Sequence, residues 1–283
     1  MNNEPGKAKE PEKREPEKRE PEKKKISGKK KKPVISNKVW LLLSFLAAML
    51  LWYLLSIGKA TSRSFPFADK VLPAVQTMIS RGVFWKDIKS SMTCVGAGFG
   101  LGFITSLPVA FLMAWYTPVQ KIVEPWINFI RNIPALAYAP LLVITFGVGQ
   151  RPAIILIWIC SFMTMSITIY QGIKNIDVTL IKAARVLGAS DVDIFFKIIC
   201  PATVPFIITA VRLGLGASLT TLLAAESTGA QAGIGMRIRS LSNSFESAPM
   251  LMYIILLGII GLILVKIVDI IERKLTGWQE KIN

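Results

Sequence analysis

The 283-residue chain contains no histidine, which removes the commonest general base and metal ligand. Cysteine is nearly as scarce. Cys94, Cys160 and Cys200 stand far apart, each in or beside an apolar run, so they neither pair by spacing nor form a metal pattern. They read as small apolar residues in a helix bundle, and no metal is expected. Charge is also thin, at 18% of residues against about 25% for a soluble domain. What remains is 52% hydrophobic, with a positive mean hydropathy. The class this points to is a polytopic membrane protein.

The formal net charge is +16, which could signal a nucleic-acid partner. Roughly half of that excess lies in the first 38 residues, and the rest is scattered singly around apolar runs. Charge placed in this way reports membrane topology and binding to anionic lipid, and no nucleic acid is expected.

Residues 9–25, KEPEKREPEKREPEKKK, repeat a Glu-Pro-Glu-Lys-Arg unit. Proline at every fifth position blocks a continuous helix, and there is almost nothing apolar to bury. A disordered basic arm over residues 1–38 is therefore expected. Its last lysines abut the apolar run 39–57, which is long enough to span and lacks a clean cleavage site, so it reads as a retained first helix with a cytoplasmic N-terminus.

About 20 apolar residues cross the hydrocarbon. On that rule five further spans fall near 92–115, 134–148, 153–170, 204–226 and 250–271. Six spans return the C-terminus to the cytoplasm, where ERKLTGWQEK supplies basic residues and Trp278 an interfacial anchor, leaving 279–283 as a tail. The predicted fold is an all-α membrane protein of six transmembrane helices, with a five-helix core over 92–278 and a cytoplasmic loop at 174–203. The external segment 58–91 resists the scheme, because it carries Lys59, Arg63, Lys70, Arg81, Lys86 and Lys89; the first helix usually dominates orientation. Within it Val71, Val75 and Met78 fall at helical spacing, which predicts an amphipathic helix on the outer surface.

Gly96, Gly98, Gly100 and Gly102 lie two apart in VGAGFGLG, and paired four apart they form faces that let helices approach closely. A gate is the competing reading. Pro134 and Pro140 in RNIPALAYAP should break a regular helix, which at membrane depth is tolerated where backbone is buried or lines a cavity.

The stretch 181–202, IKAARVLGASDVDIFFKIICPA, interrupts the apolar pattern. Asp177 can cap a short helix with Leu180, Ala183, Ala184 and Leu187 on one side and Lys182 and Arg185 on the other. Gly188 suits a left-handed helix end, followed by Ala189, and Ser190 can cap a second helix with Asp193 at capping-box spacing. Pro201 and Pro205 should end that helix before the fifth span. The pattern describes a helix–turn–helix knob on the cytoplasmic face, either seated in a cleft of another protein or lying on lipid.

Here the string AARVLGAS, followed by CPATVP, resembles the signature loop of binding-protein-dependent ABC importer permeases. Ala183, Ala184, Arg185, Gly188 and Pro201 match, whereas Lys182 stands where glutamate is usual and Cys200 where leucine is usual. RNIPALAYAPLLVITFGVGQ, LLAAESTGAQAGIGMRIRS and ERKLTGW resemble the nitrate, sulfonate, taurine and bicarbonate type. The resemblance implies a homodimer with two ATPase subunits below and a substrate-binding protein above, the knob being the coupling helix that seats in the ATPase. No Gly-x4-Gly-Lys-Ser/Thr occurs; ATP and Mg are expected on the partner, no cofactor on this chain, and no catalysis by this chain alone. A bacterial inner-membrane location follows from the same resemblance.

Arg212 and Glu226 are the ionisable residues of the fifth span and the candidates for the translocation path. Glu226 could instead meet Arg237, Arg239 or interfacial water, and Arg212 could snorkel. An anionic cargo is consistent with so few carboxylates in the spans, although aromatic or vitamin-like cargo stays open. An ion-driven secondary transporter, a membrane-embedded enzyme and a lipid-binding scaffold are the competing functions, and the first of them is the nearest rival.

Overall fold

The structure is a computed structural model that describes residues 37–58, 61, 62 and 64–275. The expected disorder of the basic arm before residue 37 and the expected anchor at Trp278 lie outside the described residues. The chain divides into two units, residues 1–49 and 50–283. The described part of the first is the opening of helix α1 (Asn37–Ile57).

The second unit continues with α2 (Ala68–Ser80), α3 (Val83–Trp115), α4 (Thr117–Arg131), α5 (Ala135–Phe146), α6 (Gln150–Lys174), α7 (Val178–Val186) and α8 (Asp191–Ile194). A π-helical turn (Phe195–Ile199) then leads into α9 (Cys200–Gly229), followed by α10 (Ile234–Asn243) and α11 (Ser247–Leu275). Among the described residues no strand occurs. Among the described residues, five helical stretches are long and apolar enough to cross a membrane: the greater part of α1, α3, α6, the run Asp191–Gly229, and α11 to Lys274. The bent pair α4–α5 brings the number to six when it is counted as one broken span, which is compatible with the six-span reading.

Helices α3, α6 and α9 form the centre. One cluster joins Cys94 and Val95 of α3, Ala139 of α5, Leu156 and Ile157 of α6, and Leu222 and Ala225 of α9. A second, toward the other end of these helices, joins Ala110 and Met113 with Ile127 of α4, Met165, Ile169 and Tyr170 of α6, and Ala210. In lipid there is little hydrophobic drive between helices, so close backbone approach at small residues carries the packing. Gly98 and Gly102 supply it. A Cβ at Gly98 would come within 2.7 Å of the Ile157 Cβ, and one at Gly102 would meet the Ser161 side chain. The other two glycines of the stripe behave differently, for nothing lies within 4 Å of a Cβ at Gly96 or Gly100. Half the stripe therefore packs inside this chain and half faces away from it.

Three details differ from the expected elements. The third span is not one helix over 134–148: α5 has only 12 residues, about 18 Å at helical rise, and α4 meets it at 97°. Pro134 causes the break. Its extended backbone, with ψ 133°, ends the helical path, and Tyr138 donates its hydroxyl hydrogen to the carbonyl of Ile130 at 3.2 Å. Pro140, by contrast, is accommodated inside α5. Prolines 201 and 205 likewise do not end the preceding helix, since Asp191–Gly229 runs on as one span. The π turn explains this: the Cys200 N–H bonds back to Phe195, so the hydrogen-bond ladder widens just where proline enters without a donor. Finally, α3 begins at Val83, so the expected junction at residue 91 is internal to a 33-residue helix.

The amphipathic helix expected before it is present as α2. Val71 and Met78 are buried in a cluster with Phe84, Ile234, Leu241, Met252 and Tyr253, which ties α2 to α10 and α11.

Candidate functional site

The knob is assembled by local hydrogen bonds. Asp177 caps α7 by accepting from the Thr179 N–H at 2.8 Å, and the same bond lowers the pKa of its carboxyl. Gly188 takes φ +81°, a conformation a side chain would strain. Around it the Gly188 N–H bonds to Arg185 and the Ala189 N–H to Ala184, both at 3.0 Å, closing the helix end. Ser190 then caps α8, accepting from the Asp193 N–H at 3.2 Å and donating to the Asp193 carboxylate at 2.6 Å. Arg185 reaches Asp191 across the turn at 3.2 Å, and Lys197 reaches Asp193 at 2.6 Å. The angle between α7 and the following helix is thus fixed by several bonds on a few residues.

The structure divides the apolar side of α7 in two. Ile181 and Ala184 turn inward and join Ile176, Ile194, Ile199 and Ala189. Leu180, Ala183 and Leu187 lie outward instead, with Ala183 exposed. Two apolar stripes offset by about one position share this short helix, and only the inward one meets Phe111 and Ile173 of α3 and α6. The consequence is an apolar tip: Val186 and Leu187 are 88% and 86% exposed, and Val178, Leu180, Val192 and Phe196 are exposed beside them. Lys182 is exposed on the same knob and forms no ion pair among the described residues. Pro201 sits away from the tip, in the first turn of α9.

The opposite end of the bundle holds a buried polar lock. Asp87 of α3, fully buried, accepts from Arg237 Nε at 2.8 Å, the Gly233 N–H at 3.1 Å and the Tyr253 hydroxyl at 3.1 Å. The hydrogen bond from Arg237 to the Asp87 carboxylate raises the pKa of Arg237 further above arginine's ordinary value. One turn along α3, the Ser91 hydroxyl donates to Glu226 at 2.7 Å and accepts from the Ile234 N–H at 2.8 Å. Glu226, 1% exposed, also accepts from the Gly235 N–H at 2.7 Å. A Cβ at Gly233 would collide with the Glu226 carboxylate. Arg237 therefore meets Asp87 and not Glu226, and four helices are joined at one point. The sequence signal for this was Asp87 and Ser91 at i, i+4 on one helical face, which is legible only once α3 is known to begin at Val83.

Arg212 is also held. Its Nη2 lies 2.6 Å from Asp269 and 2.6 Å from Glu272, clamping α9 to α11. Neither Arg212 nor Glu226 lines any of the four cavities of about 350, 940, 270 and 530 Å³ found among the described residues.

Residues 106–277 match the family described as "binding-protein-dependent transport system inner membrane component". The chain belongs to that family. This permease is 40% identical over 240 residues to a protein of Brucella abortus (strain 2308) named a probable ABC transporter permease, covering 85% of this chain and 95% of that one. It is 30% identical to the taurine transport system permease protein of Escherichia coli (strain K12), covering 88% and 93%. The nitrate import permease protein of Leptolyngbya laminosa is also 30% identical, covering 71% and 72%. Among solved structures, the permease superposes on the inward-facing MetNI methionine ABC transporter with a TM-score of 0.61 at 19% identity, covering 68% of this chain and 96% of that one. At that identity the likeness shows the fold alone, and it is the fold of a type I importer permease.

Proposed function

We propose that two copies of this permease form the path by which a small anionic solute enters a bacterial cell, driven by two separate ATPase subunits. An extracytoplasmic binding protein delivers the cargo. ATP and Mg are held by the ATPases, and both termini of the permease face the cytoplasm. The observation that carries this reading is the knob: a capped, salt-bridged turn whose apolar tip, Val186 and Leu187, has no partner among the described residues. An exposed apolar tip on a rigid support suits a protein cleft better than water.

Mechanically, closure of the ATPase pair displaces both knobs. Helix α8, the π turn and α9 form one run, so movement of the knob is passed directly to the central span. The spans then rock between two discrete packings, one open inward and one outward, with ATP biasing the balance. The anionic cargo rests on the taurine and nitrate permeases among the relatives and on the tying of Asp87 and Glu226 inside the protein.

The test is purification of the tagged permease in mild detergent beside Gly188→Glu, which strains the turn and adds charge. A Walker-containing ATPase should accompany the native chain and be lost with the variant. If no ATPase appears with either under conditions that keep complexes intact, an ion-gradient carrier becomes the better reading.

A further inference from the structure

We infer that Arg131, at the break between α4 and α5, is the contact for the anionic head of the cargo midway across the membrane; this rests on the permease reading above.

Three observations meet at this residue. The 97° bend leaves residues 132–134 outside any helix, and interrupted backbone at membrane depth is sustained where it lines a cavity. Such a cavity exists. Its volume is about 270 Å³, and its lining includes Arg131, Asn132, Tyr138, Cys160, Thr164 and Thr221. At about 30 Å³ per water, that is room for roughly nine waters, or for one small anion with part of its hydration.

Depth follows from α6. Cys160 and Thr164 lie 10 and 14 residues from its start at Gln150, and 14 and 10 from its end at Lys174. The cavity is therefore about 15 to 21 Å from either end of that helix, which is the middle of a span.

Charge then selects the ligand. A cation at this depth is costly and marks a solute path or a partner. Arg212 and Arg237 have carboxylate partners, whereas Arg131 forms no ion pair among the described residues. No carboxylate lines its cavity. The positive end of α5, which begins at Ala135, adds to the same side of the break. A planar guanidinium offers two parallel donors to an oxyanion, so the class of ligand is a small sulfonate-like or nitrate-like anion. A lipid phosphate shares that chemistry and must be separated from it by experiment.

The experiment uses the full-length permease in phosphate-free maltoside detergent, with trifluoromethanesulfonate as the probe read by fluorine NMR. Wild type should broaden the probe signal, and excess methanesulfonate or nitrate should reverse this. Arg131→Gln should weaken the effect at least tenfold while remaining monodisperse. Arg131→Lys should retain most of it, and Lys86→Gln, an exposed lysine at the other end of α3, should leave it unchanged. Equal broadening in Arg131→Gln, or none in wild type, overturns the proposal. So does reversal of the broadening on adding phosphatidylglycerol, which would mean that Arg131 holds a headgroup. The two readings fail separately: Arg131→Gln should still co-purify with the ATPase, and Arg131-dependent binding without any ATPase would leave the anion site standing while the ATP-driven reading falls.

Discussion

At the scale of single residues, the sharpest consequences come from groups that are buried and paired. Asp87 has no access to solvent and satisfies three donors from α10, α11 and the loop before α10. Removing one partner of a buried ion pair costs about 3–5 kcal/mol, because the other is left uncompensated. Asp87→Ala should lower stability by about that amount, read as a thermal unfolding shift in detergent. Asp87→Asn should lose less, since its amide oxygen still accepts from the Gly233 N–H. The sign of any pH effect through Arg237 is also fixed. Its folded pKa is raised, so its contribution is lost only as pH climbs past arginine's ordinary range, and this pair should be insensitive to pH near neutrality. The glycine stripe gives a second comparison. Gly98→Ala places a methyl against Ile157 and the Ile154 carbonyl and should cost about 1–3 kcal/mol by overpacking. Gly100→Ala meets nothing within 4 Å and should stay within about 0.5 kcal/mol in the isolated chain. Equal losses at both positions would mean that α3 faces its neighbours differently.

Single elements divide into those whose pattern is visible along the chain and those fixed by packing. Caps and turns were legible: Asp177, Gly188 and Ser190 act within a few residues of themselves, so their chemistry can be read locally. Which face of α7 packs inward was not, because Leu180 and Ile181 are neighbours in an apolar pattern and only Phe111 and Ile173, on other helices, choose between them. The prolines were legible as interruptions but not in their outcome. Pro134 breaks its span, whereas Pro201 is absorbed by a π turn that no residue pattern announces. The two faces of α7 make opposite predictions. Ile181→Ala, on the packed side, should cost about 2–5 kcal/mol of stability. Leu187→Ser, at the exposed tip, should leave unfolding unchanged and weaken ATPase retention on a pull-down roughly tenfold, about 1.4 kcal/mol of association. A stability loss at Leu187 with full ATPase retention would assign the tip to folding.

For the molecule as a whole, the membrane class and the number of spans followed from hydropathy, since bilayer thickness sets the length of apolar run required. The candidate site was legible only in part. Arg212 and Glu226 stood out as charges in a span, yet the structure ties both to neighbours on other helices. Arg131 is not legible as a membrane residue because it falls just before the expected span at 134–148, in the stretch 117–133 that the topology places in the cytoplasm; only the bend reveals its depth. Orientation is the remaining whole-molecule claim, because the knob must face the ATPase and the lock around Asp87 must face outward. A photo-cross-linking residue placed in turn at Leu187 and at Phe245 tests both together in intact cells. Phe245, 92% exposed between α10 and α11, lies toward the end that carries the lock. Capture of a Walker-containing ATPase from position 187 and not from 245 is the predicted result. An ATPase captured from 245, or none from 187 while the protein is folded and in the membrane, would contradict it.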